Sequence, residues 1–423
     1  MLAGRNHRYA GTWRRVARIP AAGVLALAAA CAGCAAPSAP APAAAGPAST
    51  AARPRPSPSH VTSAPRPTAS QSCTAATVLS HMSEAQRAGQ LFLIGLAQNQ
   101  VDPSVAAAVR SRHFGSVVFG MTSHASAPQL RAMTASVQSL ATGQATAGVR
   151  FFVAANQEGG QVQALQGPSF PAIPAATAQG TTPPSALQQQ AATWGGELRS
   201  AGVNLNLAPV MDVVPPGTAA QNQPIGALGR EFGSDPATVA AHGVAFLRGM
   251  AEAGVATTAK HFPGLGRVRG NTDFTSGVVD TQTTPGDPYL GSFQGAIDAG
   301  VPFVMIALAT YTRIDPRHLA VFSPAVMETM LRQQMHFQGV IVSDDLGVAT
   351  AVAGISPASR AIGFLSAGGD LITVESLTAA SEMYDAVLAR AAAAPAFRAA
   401  VDVAALRVLT AKQAYGLLPC GPG

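Results

Sequence analysis

Ala253-Gly254-Val255-Ala256-Thr257-Thr258-Ala259-Lys260-His261-Phe262-Pro263-Gly264 decides the fold of this chain. Ala253-Gly254 reads as a helix stop, because glycine enters the left-handed conformation that ends a helix at no steric cost. Val255 to Ala259 then reads as a strand that delivers Lys260 and His261 side by side. Pro263, Gly264, Gly266 and Gly270 prevent any regular element from continuing. The loop runs on to Asn271 and Asp273, so it can return a carboxyl group over a pocket; the plainer alternative is a surface loop whose lysine is merely solvated.

Outward from this stretch the same pattern recurs. Apolar, β-branched runs occupy Leu91 to Leu96, Ser116 to Phe119, Phe151 to Ala155, Asn204 to Asp212, Val255 to His261, Phe303 to Tyr311, Val340 to Asp345, and Asp370 to Val374. Ala201-Gly202, Ala299-Gly300, Gln338-Gly339 and Gly368-Gly369 repeat the helix stop before a strand. Helices are predicted over Pro184 to Ser200, Pro236 to Glu252, Tyr289 to Ala299, Pro324 to Met335, Pro357 to Ser366, and Thr378 to Ala392. Asp235-Pro236 and Ser323-Pro324 set a capping side chain before a proline suited to the first helical position. Strictly alternating strands and helices imply a parallel sheet, and eight such units fit a single α/β domain, a (β/α)8 TIM-type barrel. No glycine-rich dinucleotide fingerprint follows the first strand, which counts against an open nucleotide-binding sheet.

The chain has 423 residues and a formal charge of +6. Eight arginines, Arg5, Arg8, Arg14, Arg15, Arg18, Arg53, Arg55 and Arg66, precede residue 73, where no acidic residue occurs. Removing those eight from 27 basic residues leaves 19 against 21 acidic, so the remainder is slightly acidic and no nucleic acid is expected as a partner.

Residues 1–34 read as a secretory signal: a positive segment from Arg5 to Arg18, an apolar run from Ala21 to Ala30, then small residues around Cys31 and Cys34. Both cysteines lie in stretches that resemble the bacterial lipobox, so either is a candidate for lipidation. Residues 35–72 are mostly alanine, proline, serine and threonine, with nine prolines from Pro37 to Pro67, and read as a disordered tether. Residues 73–423 form the barrel domain. The expected location is outside the cell, on the outer face of the cytoplasmic membrane as a lipoprotein or in the cell wall, with the membrane engaged only through a lipid anchor. In an exported chain, Cys73 and Cys420 at the two limits of the domain suggest a disulfide.

Catalytic groups of such barrels stand at the C-terminal ends of the strands. Those ends carry Asn156-Gln157-Glu158-Gly159-Gly160, Pro209-Val210-Met211-Asp212, Lys260-His261, Thr310-Tyr311, Ser343-Asp344-Asp345 and Glu375. One of Asp344 and Asp345 must point to the barrel mouth while the other turns aside. The one at the mouth is either a rim aspartate holding backbone amides or a nucleophile, and Asp273 is the second acid a glycosyl-transfer reaction would need. Lys260 beside a lone histidine makes a poor metal ligand set, so neither a metal nor any other cofactor is expected. Lys260 and His261 suit contacts to substrate hydroxyls. Arg230 either joins them or pairs with Glu231 or Asp235. Met305, Met327 and Met335 read as core.

Together these motifs resemble glycoside hydrolase family 3, and within it the single-domain bacterial β-N-acetylhexosaminidases. The resemblance runs from about Met82 to Leu418 and rests on Gln157-Glu158-Gly159-Gly160, Asn204 to Val213, Gly229-Arg230-Glu231-Phe232, Lys260-His261-Phe262-Pro263-Gly264 and Ser343-Asp344-Asp345-Leu346. It implies a retaining, exo-acting enzyme that removes terminal β-linked N-acetylglucosamine from cell-wall fragments. Asp344 would be the nucleophile, and Lys260, His261 and Arg230 would hold the sugar. The chain departs from the family pattern at several points. Asn156 and Ala164 stand where Asp and Arg are usual in sugar contact, Leu265 replaces a histidine, and Asn271-Thr272-Asp273 replaces the Asp-Ser-His whose histidine is the acid/base. Asp273 then becomes the candidate acid/base, and it needs a raised pKa to be protonated at neutral pH. A carboxylate there would repel phosphate, so water is the expected acceptor. A monomer is expected. Two alternatives stay open: a catalytically weakened glycan-binding lipoprotein, and a family 3 glycosidase with a different terminal sugar.

Overall fold

The computed structural model describes residues 74–96 and 100–419. The signal segment, the tether, and the expected roles of Cys31, Cys34, Cys73 and Cys420 lie outside the described residues.

Eight strands form the barrel: β1 Phe92–Leu96, β2 Ser116–Phe119, β3 Phe152–Ala155, β4 Leu205–Asn206, β5 Ala256–Phe262, β6 Phe303–Ile306, β7 Val340–Ser343 and β8 Ile372–Val374. Neighbours from β1 to β7 pair in parallel in chain order, and β8 pairs with β1, Phe92 opposite Ile372. A parallel bridge between Val342 and Leu371 joins β7 to β8. Near-continuous Val, Ile, Phe and Ala in these strands reflects burial on both faces, against the barrel interior and the outer helices.

Two expected strands are shorter than the apolar runs that suggested them. From Asn204 to Asp212 only Leu205–Asn206 is ladder, followed by an isolated bridge between Val210 and Lys260. Pro209 has no amide hydrogen to give, and the Asn204 and Asn206 side chains replace backbone pairing. Asn204 Oδ1 accepts from the Val153 amide at 2.8 Å, and Asn206 Oδ1 from the Gln157 amide at 3.0 Å. The run from Phe303 to Tyr311 breaks after Ile306. Thr310–Tyr311 instead joins a small outlying sheet with Val279–Asp280 and Asp315–Leu319.

Helices Pro184–Ser200, Pro236–Glu252 and Pro357–Ser366 have the expected bounds. Asp235 caps the second by accepting from the Thr238 amide at 2.9 Å. The expected helix from Tyr289 is a short 3-10 turn followed by Gly291–Asp298. Ala325–Gln334 is wound as a π-helix, with Ser323 Oγ accepting from the Val326 amide at 3.4 Å. Gly202, Gly254, Gly300 and Gly368 adopt positive φ at the helix stops, as their position requires. Before β7 that conformation is taken by His336, and Gly339 serves close packing instead, since a Cβ there would meet Pro302 O at 2.5 Å.

The last helix, Pro395–Ala414, closes the floor of the barrel. Its Lys412 is buried, donating to Gln90 Oε1 and Gly115 O at 2.7 Å each, just ahead of β1 and β2. The Lys412 ammonium lies 5.9 Å from the Phe152 ring, and Phe152 packs edge-on against Phe303 inside the barrel. Met305, Met327 and Met335 are core residues.

Candidate active site

The rim opposite that floor gathers the polar strand ends into two ion-pair systems and a group of acids. The first system centres on Glu158, in a tight hairpin directly after β3, Gln157–Gly159 paired with Val162–Gln163. Arg230 grips Glu158 with two parallel hydrogen bonds, Nε to Oε2 at 2.8 Å and Nη2 to Oε1 at 2.7 Å. Lys260, at the end of β5, reaches the same carboxylate at 2.6 Å and donates to Asn156 Oδ1 at 2.9 Å. Burial alone would raise the Glu158 pKa, but the Arg230 and Lys260 charges overrule it and hold it at about 2. Arg230 thus pairs with neither Glu231 nor Asp235, because the β3 hairpin brings Glu158 within its fork first. The cluster is a buried, pre-paired set of N–H donors.

The second system orients His261. Buried Asp212 accepts from the His261 amide at 3.2 Å and the Leu265 amide at 2.8 Å, and its other oxygen lies 2.7 Å from His261 Nδ1. With Nδ1–H committed to a carboxylate, Nε2 is the atom left for a ligand, and in the neutral ring it accepts rather than donates. The Lys260–His261 peptide is cis, as are Ala208–Pro209 and Phe262–Pro263.

The acids complete the rim. Asp345 is the one that turns aside: Oδ1 accepts from the Gly347 and Glu375 amides, each at 2.9 Å, and Oδ2 from Val348 at 2.7 Å. Among the described residues, Asp344 accepts only from the Asp345 amide, at 2.9 Å, and it is half-buried at the mouth. Asp273 lies on the loop after β5, which is stitched to the loop after β7 by Thr350 N–H to Asp273 O and Ala351 N–H to Thr272 O. Although the residue is exposed at the loop, the rim surrounds its carboxyl group and raises it to about 6. Desolvation is the larger cause and the Asp344 charge the second, with Arg230 and His261 pulling the other way. Glu375, just past β8, is raised to about 8 by burial and then by Asp345, Asp273 and Asp344.

The structure therefore brings Asp344, Asp273, Arg230, Lys260, His261 and Asn156 into one neighbourhood. Glu158 and Asp212 were not assigned roles from sequence. Their signal was present, since each is an acid at a predicted strand end, but their partners lie far away in the chain. Leu265, where a histidine was expected by family pattern, is buried and contributes its amide to Asp212. Among the described residues no group of three or more His, Cys, Asp or Glu side chains is arranged to hold a metal ion, and no helix is long and apolar enough to cross a membrane. A cavity of about 630 Å³, lined by Gln100, Thr122, Ser123, His124, Met133 and Ser136 among others, lies beside β2 and includes none of the rim acids.

Comparison with known proteins bears on the family and the fold. Residues 85–411 match the family description "Glycosyl hydrolase family 3 N terminal domain". A β-hexosaminidase of Stenotrophomonas maltophilia (strain R551-3) is 31% identical over 297 residues, covering 67% of this chain and 83% of that protein. The crystal structure of a β-N-acetylhexosaminidase from Beutenbergia cavernae superposes with a TM-score of 0.77 at 47% identity, covering 78% of this chain and 99% of that one. A family 3 β-N-acetylglucosaminidase from a Paenibacillus species superposes with a TM-score of 0.72 at 26% identity, over 81% of this chain and 64% of that one.

Proposed function

The chain belongs to glycosyl hydrolase family 3, and from that membership we propose that it is a retaining, exo-acting β-N-acetylhexosaminidase. Its substrate is a carbohydrate carrying a terminal β-linked N-acetylglucosamine, of the kind found in peptidoglycan-type cell-wall fragments. The β-hexosaminidase relatives support the reaction class; the wall substrate rests on the family resemblance alone.

Asp344 attacks the anomeric carbon, and the bond to the leaving-group oxygen breaks as Asp273 transfers its proton to that oxygen. The resulting glycosyl ester on Asp344 is opened by water, which gives its proton to Asp273 and restores both groups. Lys260 and Arg230, fixed by Glu158, donate to sugar oxygens, and His261, fixed by Asp212, presents Nε2. Asn156 holds the Lys260 ammonium from its other side. The observation that carries this reading is the division of labour among the acids. Asp345 is saturated with backbone donors, Asp344 is left at the mouth, and Asp273 is raised to about 6 partly by the Asp344 charge.

The decisive test is the intact mass of the wild-type protein and of Asp344→Ala after incubation with an activated fluorinated N-acetylglucosaminide. An activated leaving group needs no acid, so the nucleophile is examined alone. A one-sugar adduct on Asp344, absent from the variant, is expected; sugar binding without an adduct would favour a glycan-binding protein. Water is proposed as the acceptor, and faster turnover with added phosphate would overturn that. Export and lipidation at Cys31 or Cys34 remain part of the proposal, to be checked by the mass of the mature N-terminus.

A further inference from the structure

Two rim acids are used by neither ion-pair system nor the proposed mechanism: Asp345, which is spent on backbone amides, and Glu375. The latter follows β8 directly, and its backbone is anchored where its amide donates to Asp345 Oδ1 at 2.9 Å. β1 lies between β8 and β2, and the level of Glu375 on β1 is occupied by Gly95, which has no side chain to obstruct the mouth. A Cβ on Gly95 would come within 2.5 Å of Glu375 O. The Glu375 carboxyl reaches past β1 to the end of β2, where a Cβ on Gly120 would stand 3.3 Å from Oε2 and 3.5 Å from Cδ. Gly95 thus admits the Glu375 backbone at the strand end, and Gly120 leaves the room beside its carboxyl group. Among the described residues no side chain donates a hydrogen bond to the carboxyl, and the charged groups acting on it, Asp345, Asp273 and Asp344, are all acids. Arg230 and Lys260 are committed to Glu158.

Building on the glycosidase reading above, we infer that Glu375 is a substrate-contacting specificity residue whose carboxyl group donates a hydrogen bond to a sugar oxygen on the β8–β2 side of the mouth. A carboxyl group kept in its acid form by burial and by three neighbouring acids is a hydrogen-bond donor at neutral pH, which an ionised one cannot be. It complements the opposite wall, where Lys260 and Arg230 supply cationic donors and His261 presents Nε2. Placing a fourth negative charge beside Asp344 and Asp273 would be unfavourable, so the same acids that surround Glu375 keep it a donor.

The test uses the full chain and an activated aryl N-acetylglucosaminide. With such a leaving group kcat/KM reports the first step without help from Asp273, so an alkaline limb near pH 8 can be traced to Glu375. Glu375→Ala should lower kcat/KM about tenfold or more below pH 7 and weaken N-acetylglucosamine in a calorimetric titration by a similar factor. Glu375→Gln, which still donates through its amide, should lose about threefold and lack the alkaline limb. Thermal unfolding of both variants checks the fold, and should the alanine variant be unfolded the glutamine variant decides alone. An alkaline limb that persists in Glu375→Gln, or a folded Glu375→Ala with wild-type kcat/KM and sugar affinity, overturns the inference while leaving the glycosidase reading intact. A wild-type protein that neither hydrolyses nor binds the sugar overturns the glycosidase reading, and this contact with it.

Discussion

The mouth and the floor of the barrel each bury a lysine, and they treat it in opposite ways. Lys260, at the mouth, has a carboxylate at 2.6 Å that it shares with Arg230. Lys412, at the floor, donates among the described residues only to the neutral oxygens of Gln90 and Gly115, and burial lowers its pKa to about 7. A buried ammonium is stable only with a counter-charge, and without one it tends to lose its proton. The mouth thus holds its lysine in a full ionic pair, whereas the floor surrounds its lysine with neutral oxygens that weaken its hold on the proton.

The comparison can be broken by substitutions at either end. The largest effect is expected at the mouth from Asp273→Asn, which should cost about 10²–10⁴-fold in kcat/KM on substrates with poor leaving groups and far less on activated ones. In the wild type Asp273 must be protonated to act as acid, so kcat/KM on the poor substrates should fall as pH rises through about 6, a limb the variant lacks. Next comes Glu158→Ala, which strands the Lys260 and Arg230 charges. Chemical denaturation should show a loss of about 3–5 kcal/mol, together with loss of sugar binding. If the variant is as stable as wild type, the cluster is not the tightly paired system described.

The smallest effect is expected at the floor. Lys412→Met should change stability at pH 7 by no more than about 2 kcal/mol, the cost of two acceptors left without a donor offset by relief of the desolvated amine. The pH dependence sharpens this. The folded pKa is about 7 and the unfolded one that of an ordinary lysine, so between them the unfolded chain holds the extra proton. Stability from this group therefore rises as pH goes from about 7 to about 10, and is lost as pH falls back toward 7. Lys412→Met should flatten that slope in denaturation curves measured across this range, and an unchanged slope would show that Lys412 keeps its charge.

How much of this could be read from sequence differs between the same two regions. Lys260-His261 and Asp344-Asp345 were legible because an apolar run that stops on adjacent polar residues can hardly be anything but a strand exit in an alternating α/β chain. The order of the eight strands followed from the same alternation. Which acid serves which cation did not follow, because Glu158 and Arg230 lie in different loops and meet only once the β3 hairpin is folded over the rim. The pairing of Arg230 with Glu231 or Asp235, suggested by nearness in the chain, fails for that reason. Strand lengths misled where Asn204 and Asn206 side chains stand in for backbone pairing. Lys412 gave no signal at all: in an alanine-rich amphipathic stretch a lysine is taken for a solvated one, and only the closed barrel shows that it points inward.

The seal made by the last helix also ties the two ends of the described chain together. Arg150 N–H bonds Leu417 O, the Ala75 amide bonds Gln413 Oε1 at 2.7 Å, and Lys412 joins the segments ahead of β1 and β2. The earliest and latest parts of the described chain therefore meet at one place, and the contacts that close the floor span nearly its whole length. Contacts of such long sequence separation are slow to form, because the chain between them must be ordered before they contribute.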